Sequence, residues 1–188
     1  TDSNNMRASR ALITGPHDTP YDCGCYIFDI MMSKTYPDEP PQVWYINHGG
    51  VRFNPNLYAS GKVCLSLLGT WNAEAGEKWN ASTSTLFQVL LSIQSLILIE
   101  QPFFNEPSYE KHIGTPNGNK KTADYNNNIR LYTMKYSILD LLENTNKYPE
   151  FEAAIKTHFK FKKERVLKTC KQWTDDATSR KKLGKRWS

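Results

Sequence analysis

The chain has 188 residues and a net charge of +5, a length that suffices for one domain with a sizeable core. No apolar run is long enough to span a membrane, and the start Thr1-Asp2-Ser3-Asn4 has no signal-peptide character. The charge is uneven: residues 1–146 hold 11 Lys/Arg against 14 Asp/Glu (−3), and residues 147–188 hold 13 against 5 (+8), so the basicity belongs to the last stretch.

Arg10 to Thr14 and Cys25 to Met31 read as strands; in the second, Tyr26, Phe28 and Ile30 alternate with Ile27, Asp29 and Met31. Gly15-Pro16 through Asp22 supplies the turn chemistry between them, and Tyr36 to Pro41 turns the chain into a third strand, Gln42 to Asn47. Short links between sequential strands predict an antiparallel meander. The four cysteines, Cys23, Cys25, Cys64 and Cys170, have no disulfide-framework spacing, which fits free thiols in a reducing compartment, the cytoplasm or the nucleus. Cys23-Gly24-Cys25 with His17 or His48 offers two thiols without a second pair, a weak metal pattern, and no metal is expected. Asn80-Ala81-Ser82 is a glycosylation sequon, without meaning in that compartment.

Phe53-Asn54-Pro55-Asn56-Leu57-Tyr58-Ala59-Ser60-Gly61 is a polar, turn-rich stretch that runs into the apolar Val63-Cys64-Leu65. Two readings of Cys64 stand side by side. Free cysteines are often simply buried in cores. A cysteine at such a junction can also be held by the apolar run while its sulfur faces the polar side. Asn56, eight residues earlier, can then fold its amide back toward the sulfur and donate to an oxyanion formed by thiol attack on an acyl group. The fourteen residues Leu65 to Lys78 have a loop composition, including Gly69-Thr70-Trp71-Asn72-Ala73, and either gate a partner or form a passive excursion.

Thr85-x-x-Gln88 fits a capping box for a helix over Leu86 to Ile99. Its apolar residues run most of the way round, as in an element packed on both sides, with Gln88, Ser92 and Ser95 as a polar stripe and Leu91 at its edge. Lys111 to Lys121 reads as a loop, and Thr122 to Glu143 as a helix with Tyr125, Ile129, Tyr132, Tyr136 and Leu139 on one face. Residues 147–188 form a basic helical extension. Phe151, Ile155 and Phe159 make one stripe and Val166, Cys170, Trp173 and Ala177 a second, with a break between them. Docking of these stripes on the domain is expected ahead of a partner-binding helix. Arg180-Lys181-Lys182 and Lys185-Arg186 read as a solvated terminus, and no aromatic-interleaved basic module points to nucleic acid.

Five ordered motifs resemble those of the ubiquitin-conjugating (E2) family: Gly15-Pro16-His17-Asp18-Thr19-Pro20-Tyr21, Tyr36-Pro37-Asp38-Glu39-Pro40-Pro41, Asn54-Pro55-Asn56 with Cys64 eight residues after the Asn, Trp79, and Val89 to Leu96. The likeness runs from about Ala11 to Tyr109. Phe53 to Tyr58, Ser66 to Trp71 and Phe104 to Pro107 are similar to the very large members that combine E2 and E3 roles. The resemblance implies an α+β, UBC-like fold: a meander sheet packed against a central helix and C-terminal helices. The family's first helix and first strand would lie before Thr1. Residues 1–146 would be the catalytic domain, incomplete at its N-terminus. It implies that Cys64 takes ubiquitin from an E1 enzyme as a thioester and passes it to a substrate lysine. Asn56 would be the oxyanion donor, and Glu106 would orient the amine and take part in its deprotonation. Gln88, Leu91 and Ser95 would receive the donor ubiquitin. Asp38 and Glu39 in one loop, with Asn80 and Ala81 in another, would face an E3. No cofactor is implied, since ATP is used by the E1. Two departures stand out: Asn54 where most members have His, which puts the rigidity of Asn56 in doubt, and Cys23 where Gly is usual.

Other classes remain open. An inactive E2-variant-like ubiquitin-binding module would lack the cysteine, whereas Cys64 is present. A thiol hydrolase needs a histidine base, and His17, His48, His112 and His158 stand in no recognisable motif. A conjugating enzyme for another ubiquitin-like modifier fits the same motifs.

Overall fold

A computed structural model describes residues 7–71 and 75–186. Three strands, β1 (Ala8–Thr14), β2 (Cys25–Met31) and β3 (Gln42–Tyr45), form an antiparallel sheet in sequential order. Ala8 to Thr14 pair with Met31 to Cys25, and Phe28 pairs with Tyr45. Because side chains alternate along a strand, β2 feeds two clusters. Tyr26, Phe28 and Ile30 enter one with Tyr45, Phe53, Val89, Ile93 and Ile129; Cys25 and Ile27 enter the other. β3 stops two residues short of the expected Asn47. The Asn47 side chain is buried and replaces a ladder bond, accepting from Ile27 N at 2.8 Å and donating to Cys25 O at 2.9 Å.

The central helix α1 (Leu86–Ser92) opens with the expected capping box. Thr85 accepts from Gln88 N while the Gln88 side chain accepts from Thr85 N. It continues as a π-helical segment over Ile93–Ile97 and ends at Leu98. Packing on both sides is not what occurs. Val89, Ile93, Ile97 and Leu98 are buried, whereas Phe87 is 70% exposed, and Leu91 and Leu96 also face outward.

Two further expectations need correction. The loop over Lys111 to Lys121 gives way at Pro116, where α2 (Pro116–Tyr132) begins. Thr115 caps it by accepting from Gly118 N at 3.0 Å, and Pro116 occupies the first turn, where a missing N–H costs nothing. Gly118 is required there, because a Cβ would meet the His112 carbonyl oxygen at 2.0 Å. The stripe holds through Tyr125, Ile129, Tyr132 and Tyr136, which pack on the core, and fails at Leu139. Thr133–Leu139 is π-helical before α3 (Asp140–Glu143), and each i→i+5 turn carries an extra residue, rotating later side chains by about 100°. Ile138 and Leu141 turn inward while Leu139 is exposed.

The extension folds as two helices, α4 (Glu152–Phe161) and α5 (Lys163–Arg186), broken at Lys162. Ile155, Phe159 and Val166 pack with Cys23, Cys25, Ile27, Ile138 and Leu141 behind the sheet. Burial pushes the Cys25 thiol up to about 12, as suits a packing role. Cys23 has φ +66°, a left-handed backbone that explains why glycine is usual at this position. Arg165 donates to the buried Asp22 at 2.7 Å, tying α5 to the turn before β2. The side chains of Arg180 to Lys182, Lys185 and Arg186 lie outside the described residues, as do Thr1 to Met6. Ile155→Ala should lower stability by about 2–5 kcal/mol, read from denaturant melts, because the methylenes it removes are fully buried. A change below about 0.5 kcal/mol would mean that α4 does not dock in solution.

Candidate active site

Asn54 is fully buried and is the hub of the loop before Cys64. Its Nδ2 donates to Tyr21 Oη at 2.9 Å and to Ile97 O at 2.7 Å; its Oδ1 accepts from Asn56 N at 2.8 Å and from Asn105 Nδ2 at 3.3 Å. Tyr21 in turn donates to Phe53 O at 2.9 Å, and burial pushes its phenol well above the usual range, so it stays neutral. The amide thus ties the loop to three distant segments.

The Ser60-Gly61 turn brings Cys64 back beside Asn56. Gly61 has φ +86°, donates to Tyr58 O, and lies so close to Tyr45 that a Cβ would sit 2.7 Å from its carbonyl oxygen. Cys64 N then donates to Asn56 O at 2.9 Å, and Asn56 Nδ2 donates to Cys64 O at 2.8 Å. The amide therefore reaches the cysteine's carbonyl, where the sequence reading aimed it at the sulfur. A carboxamide nitrogen carries two hydrogens, and among the described residues the second has no acceptor. After Cys64 the chain enters a 3-10 turn, Ser66–Leu68, closed by Gly69 in the left-handed region. Thr70 pins it, accepting from Leu65 N at 3.0 Å and donating to Val63 O at 2.9 Å. Cys64 is 3% exposed, at the bend between these two supported segments.

A groove of about 480 Å³ runs past this bend. Asn56, Leu65, Leu67, Trp71, Leu96 and Asn105 are among its lining residues. One wall therefore comes from the Leu65 to Lys78 stretch, whose two limbs touch where Ser66 Oγ donates to Glu77 Oε2 at 3.2 Å. Asn72, Ala73 and Glu74 lie outside the described residues.

The remaining sequence-derived residues fall in three places. Glu106 lies against the loop, its Oε2 3.2 Å from Arg52 Nη2. Gln88, Leu91 and Ser95 are exposed on the outer face of the central helix, together with Phe87 and Leu96, which the polar-stripe reading missed. Gln88 is partly committed, since its carbonyl oxygen closes the capping box. Asp38, Glu39, Asn80 and Ala81 are exposed on two loops held side by side, because Trp79 Nε1 donates to Pro37 O at 2.7 Å. Three contributors to the site went unrecognised: Arg52, Tyr21 as partner of Asn54, and Asn105. No local pattern marks any of them, since each acts on a segment more than 30 residues away.

The family model described as "Ubiquitin-conjugating enzyme" matches residues 1–133. A probable ubiquitin-conjugating enzyme E2 of Acanthamoeba polyphaga mimivirus is 46% identical over 180 residues, 95% of this chain and 12% of that protein. A dual E2 ubiquitin-conjugating enzyme/E3 ubiquitin-protein ligase of Homo sapiens is 44% identical over the whole chain and 4% of its own length. A probable ubiquitin-conjugating enzyme E2 of Arabidopsis thaliana is 46% identical over 90% of this chain, which is 18% of that relative. The chain thus spans less than a fifth of each of these relatives. With its three-stranded antiparallel sheet, central helix and C-terminal helices, it belongs to the ubiquitin-conjugating enzyme (E2) family and has the UBC-like α+β fold.

Proposed function

We propose that this domain takes ubiquitin from an E1 enzyme as a thioester on Cys64 and transfers it to a lysine amine of a protein substrate. The reciprocal hydrogen bonding of Asn56 and Cys64, with Glu106 held beside the same loop, is the observation that carries this reading. In the first half-reaction the Cys64 thiolate attacks the carbonyl of the E1–ubiquitin thioester, and the E1 thiol leaves. One thioester replaces another, so the domain needs neither metal nor nucleotide of its own. In the second, the amine adds to the Cys64 thioester, a tetrahedral oxyanion forms, and the C–S bond breaks to release the Cys64 thiolate. The unused N–H of Asn56 is the donor for that oxyanion. Glu106 orients the amine and takes its proton as the amide forms. Gln88, Leu91 and Ser95, with Phe87 and Leu96, form the face that holds the donor ubiquitin. Incubation with E1, ATP and ubiquitin should give an adduct that reductant removes on a gel. No adduct with ubiquitin, but one with another ubiquitin-like modifier, would reassign the cargo; none with any modifier would leave a binding module.

A second part of the proposal concerns E3 dependence. The paired loops offer the carboxylates of Asp38 and Glu39 beside Asn80 and Ala81, where members of the family present apolar anchors to RING partners. An exposed carboxylate in place of such an anchor forfeits buried contact and adds a desolvation cost. We infer that generic RING domains do not drive this E2, and that substrates are brought by other parts of the polypeptide. Against a panel of RING domains, discharge of the ubiquitin-loaded protein should change by less than about twofold, while Asp38→Phe gains stimulation from at least one. Strong stimulation of the unmodified protein by several RINGs would sink this part.

A further inference from the structure

One nitrogen of Arg52 joins the two segments on which the proposed transfer depends. Nη2 donates to Pro55 O at 2.7 Å, between Asn54 and Asn56, and to Glu106 Oε2 at 3.2 Å. The guanidinium carbon lies 4.6 Å from the centroid of the Tyr58 ring, so its plane is held from a third side. An Arg Nη2 carries two hydrogens, and these two acceptors use both. Among the described residues the Glu106 segment has one other polar link to the loop, from Asn105 to Asn54 at 3.3 Å. It is backed by aromatic packing, with Phe103 against Tyr109 and Tyr125 at 4.7 and 6.0 Å between ring centroids.

We infer that Arg52 is a positioning residue for aminolysis: it registers the carboxylate of Glu106 against the loop that carries Asn56. The inference rests on the thioester reading above. Both partners are more than a third exposed, 42% for Arg52 and 37% for Glu106, so their ion pair contributes little to stability. Its effect lies in geometry, since an acceptor amine and an oxyanion donor on separate segments act together only if the segments keep a fixed relation. The guanidinium suits this task because one planar group donates and stacks at once, and the Tyr58 ring fixes the plane from which both hydrogens are aimed. A lysine at position 52 would keep the charge but lose the planar face that stacks on Tyr58.

The test loads the protein with ubiquitin, quenches the E1, and follows single-turnover discharge to free lysine over a range of lysine concentrations. Arg52→Ala should lower discharge about tenfold more than it lowers E1 charging, with the loss mainly in the limiting rate and the melting temperature close to that of the unmodified protein. Arg52→Lys should fall between the two. In a Glu106→Ala background, Arg52→Ala should add less than about a twofold loss, since the group it orients is already gone. Equal losses from Arg52→Ala in both backgrounds, a parallel fall in charging and melting temperature, or an unchanged discharge rate would each overturn the inference while leaving the thioester reading intact. Failure of the unmodified protein to form a reductant-labile adduct would overturn that reading and this inference with it.

Discussion

Replacing Cys64 by serine should abolish the reductant-labile ubiquitin adduct and leave, on long incubation, a reductant-resistant ester. The hydroxyl occupies the same bend, held by the Asn56 bonds and the Thr70 clasp, but it is a far weaker nucleophile than a thiolate and its oxygen ester is not cleaved by thiols. The other cysteines make poor substitutes. Burial pushes the Cys23, Cys25 and Cys170 thiols up, and the Asp22 carboxylate, 3.4 Å from Cys23 Sγ, pushes the first further the same way. Cys23 and Cys25 also lie inside the cluster behind the sheet. A labile adduct that survives Cys64→Ser, or that disappears only in Cys23→Ser, would move the nucleophile to another sulfur.

Asn56→Ala should slow discharge to lysine by about 100-fold or more, the usual cost of removing one oxyanion donor, while charging by E1 falls much less. Both half-reactions pass through a tetrahedral oxyanion, but addition of an amine to a thioester is the harder step, so the donor N–H matters most there. A purely structural role makes a different prediction. The bond from Asn56 to the Cys64 carbonyl exists in the resting protein, and its loss would disturb the bend for both half-reactions alike. Equal losses in charging and discharge, with an unchanged circular dichroism spectrum, would therefore assign Asn56 to loop support alone. Asn54 is the contrasting case: it reaches Asn56 through one hydrogen bond at 2.8 Å and has three more to other segments, so Asn54→Ala should lower charging and discharge together.

Local pattern was enough for part of this protein. The alternation of Tyr26, Phe28 and Ile30 set β2 to the residue, and Thr85 with Gln88 marked the start of the central helix, because strand period and helix caps are written within a few neighbouring positions. The stripes through Ile155 and Val166 likewise marked apolar faces that dock on the domain, while the break at Lys162 that makes two helices of them is a feature of the fold. The Asn-Pro-Asn loop and Cys64 were legible as a junction with two readings. Thr115-Pro116 was also a local signal, but the Gly/Asn composition around it obscured the helix start. Other features were decided only by tertiary structure. The π-helical turn before Asp140 turned Ile138 inward and Leu139 outward, because a change of hydrogen-bond period leaves no clear mark in residue types. The outward face of the central helix carries Phe87 and Leu96, since apolar character records what a side chain can bury and not whether anything covers it. Asn54, Asn56 and Arg52 gained their roles from Tyr21, Ile97, Cys64, Asn105 and Glu106, four of which lie more than 30 residues from the partner they meet. A polar side chain's sequence neighbourhood shows what bonds it can make; only the folded chain, by bringing remote acceptors within about 3 Å and excluding water from them, settles which bonds it does make.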